Sequence, residues 1–202
     1  AIYIGILAFW GEQYLPTAQV NKYGIVADSL AVEMGLQNGD KIISVDHEAV
    51  EDFNKIPITL ILEEATNIQV ERDGVMRSID IPDGVIGKLV KQKEPAFISP
   101  RFPFEIAGFA DQSPARDAGI QMGDRVVAVN DQPVTYFDEF VSLVKSHKGE
   151  TVGTTVIRGA DTLQLSMAVS AEGVVGIFTD PMNFFEFSKK DYTLLQAIPA
   201  GF

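Results

Sequence analysis

Residue types able to break bonds are thinly spread along this chain. Its only imidazoles are His47 and His147, and it has no cysteine. A zinc hydrolase needs His-Glu-x-x-His on one helix, so that both rings share a face and the carboxylate acts on the metal-bound water. Asp46-His47-Glu48 and Ser146-His147-Lys148 do not make that pattern, and both read as surface histidines. Serine catalysis needs a base, and no Gly-x-Ser-x-Gly elbow is written here. Asp28, Asp40, Asp111 and Asp124 recur at turns, where a short carboxylate caps backbone N–H groups more readily than it moves protons. No catalytic or metal-ligating residue is assigned, and no cofactor is expected within this chain.

Recognition chemistry is better represented. Gly84-Val85-Ile86-Gly87 returns as Gly173-Val174-Val175-Gly176. A glycine at the end of such a tetrapeptide lets consecutive backbone N–H groups converge into a nest for a carboxylate. The apolar neighbours can line a pocket for the last side chain of a peptide, and a strand that follows offers its edge to an incoming strand. The alternative is a plain turn into an edge strand. On this reading the carboxylate-binding candidates are Val174, Val175 and Gly176 in one copy and Val85, Ile86 and Gly87 in the other. Ile177 and Phe178 would supply the pairing edge. Phe140, Leu143 and Val144, on the helix before them, would face the groove.

The elements that position these residues are themselves repeated. Ser29 to Asp46 returns as Ser113 to Asn130 at a constant offset of 84 residues. A spacing this long suits two small domains better than a solenoid. In the second copy, Glu105 to Ala110 reads as a strand. Ser113 caps a short helix over Pro114 to Ala118, which Gly119 ends. Arg125 to Val129 is a buried strand turned by Asn130-Asp131. Phe137, Phe140, Val141 and Val144 fall on one face of a helix spanning about 136–147. Thr151 to Arg158 and Thr162 to Val169 form a hairpin about Gly159-Ala160-Asp161. The first copy matches piece by piece: a short helix near Ala31, a strand from Lys41 to Val45, a helical stretch over about 52–64 that Pro57 interrupts or starts, and a hairpin turned by Asp73-Gly74.

Composition bounds the rest. A formal charge of −12 over 202 residues repels phosphate backbones, so nucleic acid is excluded as a partner. Lys88, Lys91, Lys93 and Arg101 form a local basic stretch that reads as a solvated linker edge. Residues 1–10 carry no charge and include Phe9 and Trp10. They are about half a bilayer span, and resemble the last turns of a membrane helix with Trp10 and Tyr14 at the interface. An apolar edge strand or a buried helix would also fit. Residues 184–198 are again rich in aromatic and apolar side chains. They suit a membrane surface or packing against the second domain equally well.

The pattern Ser-x-Ala-x-x-(Ala/Met)-Gly-(Leu/Ile)-x-x-Gly-Asp-x-(Ile/Val)-(Ile/Val)-x-Val-(Asp/Asn) resembles bacterial PDZ domains over about residues 20–180. The resemblance implies an α+β, β-rich fold of two PDZ-like domains of the circularly permuted bacterial type. Each would be a small, partly open β-barrel or sandwich with two helices and a late carboxylate-binding loop. The first copy departs from the pattern at Leu30, where proline is usual, and at Lys88, where the second has Ile177. The second is therefore expected to be the working binder, and the first a spacer or gate. The implied layout is a membrane-helix tail at 1–15, PDZ domains at 16–92 and 104–182, a linker at 93–103 and a juxtamembrane segment at 183–202. Two PDZ units flanked by such ends resemble the extracytoplasmic, periplasmic insert of RseP-type site-2 proteases. These are intramembrane zinc metalloproteases of the bacterial inner membrane. The resemblance implies zinc in the parent protein. It also implies transmembrane substrates, such as anti-sigma factors and remnant signal peptides, that the tandem filters or docks. The rival class is a PDZ pair from an HtrA-like serine protease or a secretion scaffold binding peptide C-termini. A free-standing Ser–Lys protease would need a further domain for which the paired units leave no room.

Overall fold

The computed structural model describes residues 12–91 and 97–190. These divide into two compact units, one of residues up to Pro100 together with Phe185 onward, the other Arg101–Phe184.

The first unit opens with β1 (Glu12–Tyr14) and a single turn, α1 (Thr17–Val20). Then β2 (Ile25–Ala27) leads into α2 (Ser29–Met34). Asp28 caps α2 by accepting from the Ala31 N–H at 2.8 Å, and Gly35 ends it at φ +109°. Strand β3 (Lys41–Val45) follows. Pro57 does not break the next helix. It sits in the first turn of α3 (Ile56–Leu62), where its missing N–H costs nothing, and a 3₁₀ turn at Phe53–Lys55 leads in. Strands β4 (Asn67–Arg72) and β5 (Val75–Asp80) form a hairpin on Asp73-Gly74, both at positive φ, as a tight two-residue turn requires. After it come α4 (Val85–Lys91) and β6 (Ile98–Pro100). The sheets are β3-β4-β5 and β2-β6, all antiparallel. Ile25, Leu36, Ile42, Ile56, Leu60, Ile68 and Val70 are buried in this unit.

The second unit repeats the plan. It runs β7 (Gly108–Phe109), α5 (Pro114–Asp117), β8 (Arg125–Val129), β9 (Gln132–Pro133), α6 (Phe137–Ser146), β10 (Thr151–Arg158), β11 (Asp161–Ala168) and β12 (Ile177–Phe178). Here the sheets are β11-β10-β8-β9 and β12-β7. Both are open rather than closed into a barrel. The core holds Phe104, Ile106, Val126, Val129, Phe140, Val144, Val156 and Met167. The strand expected over 105–110 is shorter than the sequence suggests: only Gly108 and Phe109 pair in register with β12, and Ala107 and Ala110 each add a single bond at its ends.

Strand β13 (Ser188–Lys190) returns to the first unit and pairs antiparallel with β1. Phe185 is buried there, 6.1 Å edge-on from Tyr23. Residues 185–190 thus pack on the first unit, where the sequence left a membrane surface or the second domain as the choices. Likewise Ile98–Pro100 is no linker: it pairs with Ile25–Ala27. Arg101 is not a solvated edge either. Its guanidinium holds Asp138 at 3.0 Å and Glu139 at 2.6 Å, and lies 3.9 Å from the centre of the Tyr136 ring. Residues 1–10 and 192–198 lie outside the described residues. No helix among the described residues is long and apolar enough to cross a membrane.

Candidate functional site

Helix α6 forms one wall of a groove in the second unit. Its N-terminus is held by Glu139, whose carboxylate accepts from the Thr135 and Tyr136 N–H groups at 2.9 and 3.1 Å. Phe137 is stacked at 5.8 Å on Phe102, which stacks at 6.0 Å on Phe184; Phe104 meets Phe137 at 5.3 Å and Phe140 at 5.2 Å. This aromatic cluster sets the helix rigidly, and sequence periodicity alone does not find it. The period-3.6 face then presents Phe137, Phe140, Val141, Val144 and Lys145 to the opposite wall, residues 173–177. The cavity between them holds about 190 Å³. That is below the ~300–1,000 Å³ of small-molecule sites and suits one or two side chains.

The opposite wall is shaped by glycine. Gly173 and Gly176 have φ of +79° and +68°, and a Cβ at Gly176 would stand 2.7 Å from the Gln112 carbonyl oxygen. The loop is tied down between α5 and α6. Val175 C=O accepts from Ser113 Oγ and the Ala115 N–H, each at 3.1 Å, and a Cβ at Gly173 would lie 3.3 Å from Lys145 Cα. The Val174 N–H is taken by Ser170 Oγ at 3.2 Å. The next two, of Val175 and Gly176, have no partner among the described residues. Ala110 N–H donates to Gly176 C=O at 3.0 Å, which fixes the phase of the short ladder. Ile177 therefore turns its N–H and C=O away from β7, toward a free edge. Three successive donors, an apolar slot and Lys145 in its lining match the end of a peptide: carboxylate, last side chain and backbone. Val174 and Phe178 are more than half exposed, while Val175 is buried beneath the loop.

The structure brings Val174, Val175, Gly176, Ile177, Phe140 and Val144 around one groove. Leu143 packs against the core cluster instead of lining the groove, because it lies a third of a turn off the groove face. Phe137, Val141 and Lys145 complete the wall. The i, i+4, i+8 spacing of 137, 141 and 145 was the available signal for them.

The first unit differs. Val85, Ile86 and Gly87 form no loop before a strand. They are the first turn of α4, with Val85 and Leu89 buried one turn apart. The segment Val-Ile-Gly-Lys-Leu-Val-Lys has a helical apolar period and ends in lysines that suit a helix C-terminus. Gly87 has open space around its Cα and an ordinary φ. The two matching tetrapeptides thus serve different structures. The edge strand of this unit is β6 instead; residues 92–96 before it lie outside the described residues.

Both histidines make hydrogen bonds through Nδ1. His47 Nδ1 shares a hydrogen bond with Gln69 Nε2 at 3.1 Å, and His147 Nδ1 lies 2.9 Å from Leu143 C=O. Among the described residues no three His, Cys, Asp or Glu side chains gather where a metal could be held.

One pair of residues per unit escaped the sequence. Asp40 and Asp124 are fully buried, and each meets an arginine from the hairpin in a bidentate pair: Arg72 at 2.7 and 2.8 Å, Arg158 at 2.8 and 2.7 Å. The same arginines donate to Gly35 C=O and Gly119 C=O at 2.8 Å, and each carboxylate accepts from the Gln37 or Gln121 N–H at 2.9 Å. The Arg158 guanidinium holds the Asp124 carboxyl below its ordinary value, against the opposing effect of burial. This charge pair clamps the end of α2 or α5 and the turn after it onto the hairpin.

Residues 105–158 match the PDZ domain family. The regulator of sigma-E protease RseP of Escherichia coli K12 is 29% identical over 154 residues, 71% of this chain and 34% of that protein. A protein of Neisseria meningitidis serogroup A, named as a zinc metalloprotease, is 28% identical over 145 residues, 67% of this chain and 32% of that protein. The chain spans about a third of the length of these relatives. Among solved structures, the PDZ domain of the SdrC-like protein of Listeria monocytogenes is 20% identical with a TM-score of 0.35, covering 42% of this chain and 94% of that one. The family match and the two relatives are similarities to a PDZ region of the RseP type.

Proposed function

We propose that this chain is the extracytoplasmic tandem PDZ module of a membrane-embedded site-2 zinc metalloprotease. On this reading it filters or docks transmembrane substrates for a neighbouring active site, and its second unit grips apolar chain ends. The observation that carries the reading is the groove between α6 and residues 173–177, with unclaimed N–H groups at one end and a free strand edge along its side. A terminal carboxylate would take the Val175, Gly176 and Ile177 N–H groups, with Lys145 adding a screened attraction at the rim. The last side chain would enter between Val141, Val144 and Val175. Zinc would be held by the parent protein, in segments other than those described here.

Two experiments test the two halves of the proposal. C-terminal peptides ending in an apolar residue are titrated against the chain and against Lys145→Glu and Val141→Glu. Each substitution is expected to weaken binding about tenfold or more, equivalent to about 1.4 kcal/mol, and amidating the peptide terminus should have a similar effect. Indistinguishable affinities would remove the groove from the mechanism. For the filter, residues 20–180 are deleted from the parent protease and substrates with intact ectodomains are offered. Cleavage of such substrates is the expected result, and continued refusal would sink the filter reading.

A further inference from the structure

The first unit keeps the groove helix of the second. At the 84-residue offset, Phe53, Ile56 and Leu60 stand for Phe137, Phe140 and Val144, and all but Phe137 are buried. What differs is the connection from the last hairpin strand to the edge strand. It occupies residues 169–176 in the second unit and residues 81–97, about twice as many, in the first. In the second unit this connection is the carboxylate loop, wedged between the start of α5 and the C-terminal half of α6. In the first unit α4 packs against both corresponding helices, α2 and α3. Val85 and Leu89 are its buried anchors, and Lys88 pairs with Glu33 on α2.

The edge strand differs too. Asp28 N–H donates to Phe97 C=O at 3.1 Å, the counterpart of the Ala110–Gly176 bond. By the alternation of an antiparallel ladder, Phe97 and Ser99 face β2, while Ile98 and Pro100 turn outward. In the second unit the outward pair is Ile177 and Thr179. Pro100 has no N–H, so this edge lacks a donor that the other has.

We propose that the first unit is a closed copy of the binding fold: α4 is seated over its chain-end pocket, and Pro100 blanks a donor on its edge, so that it takes no chain terminus while α4 stays docked. The inference rests on reading the second groove as a chain-end site. Its occupant is the chain's own helix, held by two apolar side chains and one exposed ion pair, which is a contact weak enough to be displaced.

The test uses the whole chain with the second groove silenced by Val141→Glu and Lys145→Glu. A phage-displayed library of random heptapeptides with free C-termini is the probe. In a locked form, Glu33→Cys and Lys88→Cys are bridged by a short bis-maleimide, which is site-selective because the chain has no other cysteine. In an opened form, residues 84–91 become a Gly-Ser stretch of equal length and Pro100→Thr restores the donor; Leu89→Ser with Pro100→Thr is a milder version. The locked form should retain no terminus-dependent clones, and an opened form should enrich clones ending in apolar residues at least tenfold over it. Terminus-dependent clones on the locked form would overturn the proposal. So would opened forms that show native amide dispersion yet stay as barren as the locked one. The unsilenced chain is panned alongside: if it enriches nothing over the silenced chain, the reading of the second groove fails, while the locked and opened pair still decides the first.

Discussion

The two units share a clamp and differ in a connection. Asp40–Arg72 and Asp124–Arg158 are nearly superimposable in their contacts, whereas the path from hairpin to edge strand is a glycine-shaped loop in one unit and a helix in the other. The shared part is what a small β-rich unit needs in order to fold. The variable part is the connection that lines the groove of the second unit. The repeat thus keeps the scaffold in both units, while the connection differs.

The clamp provides the largest way to test this equivalence. Removing one partner of a buried ion pair leaves an uncompensated charge and costs about 3–5 kcal/mol where both groups are buried. Arg72 is 17% exposed and Arg158 32% exposed at the side chain. Arg72→Met should therefore cost about 3 kcal/mol and Arg158→Met about 2 kcal/mol, read from urea unfolding. Losses that differ by more than this, or a loss in one unit only, would break the parallel. The pH dependence has a definite sign. Asp124 has a lowered folded pKa, so its contribution is fully present above the ordinary carboxylate value of 3.8 and is lost as pH falls through the lower folded value. Asp124→Asn should flatten the acid limb of the stability curve.

The glycines of the matching tetrapeptides should respond with opposite signs. Gly176→Ala forces a side chain against Gln112 and Ser113 at positive φ, and should destabilise the second unit by about 1–3 kcal/mol and weaken peptide binding. Gly87→Ala adds a methyl to open space inside a helix, and should stabilise the first unit by up to about 1 kcal/mol. Thermal unfolding of the two variants checks both. Equal destabilisation would mean that residues 84–87 form a loop after all.

Much of the local architecture was legible before any coordinates. The N-caps Asp28 and Ser113, the terminating Gly35 and Gly119, the Asp73-Gly74 turn and the α6 face each depend on residues within a few positions of one another. The apolar face of α6 and the glycine-flanked loop at 173–176 are each such local patterns, and the structure sets them on opposite sides of one cavity. Leu143 was misplaced because neighbouring helical positions differ by about 100° of azimuth, which one apolar letter does not record.

The amino-acid sequence by itself determined that one segment is written twice at an 84-residue offset, that its pattern is PDZ-like, and where the turns and caps fall. Those are matters of local pattern and residue type. The tertiary structure decided that Val85 begins a helix, that Ile98–Pro100 is an edge strand, that Arg72 and Arg158 complete the buried carboxylates, and that Ser188–Lys190 returns to β1. Each of these is a partnership across tens of residues, or a choice between helix and loop made by what lies alongside. A short apolar tetrapeptide can satisfy either, and burial against its neighbours selects one.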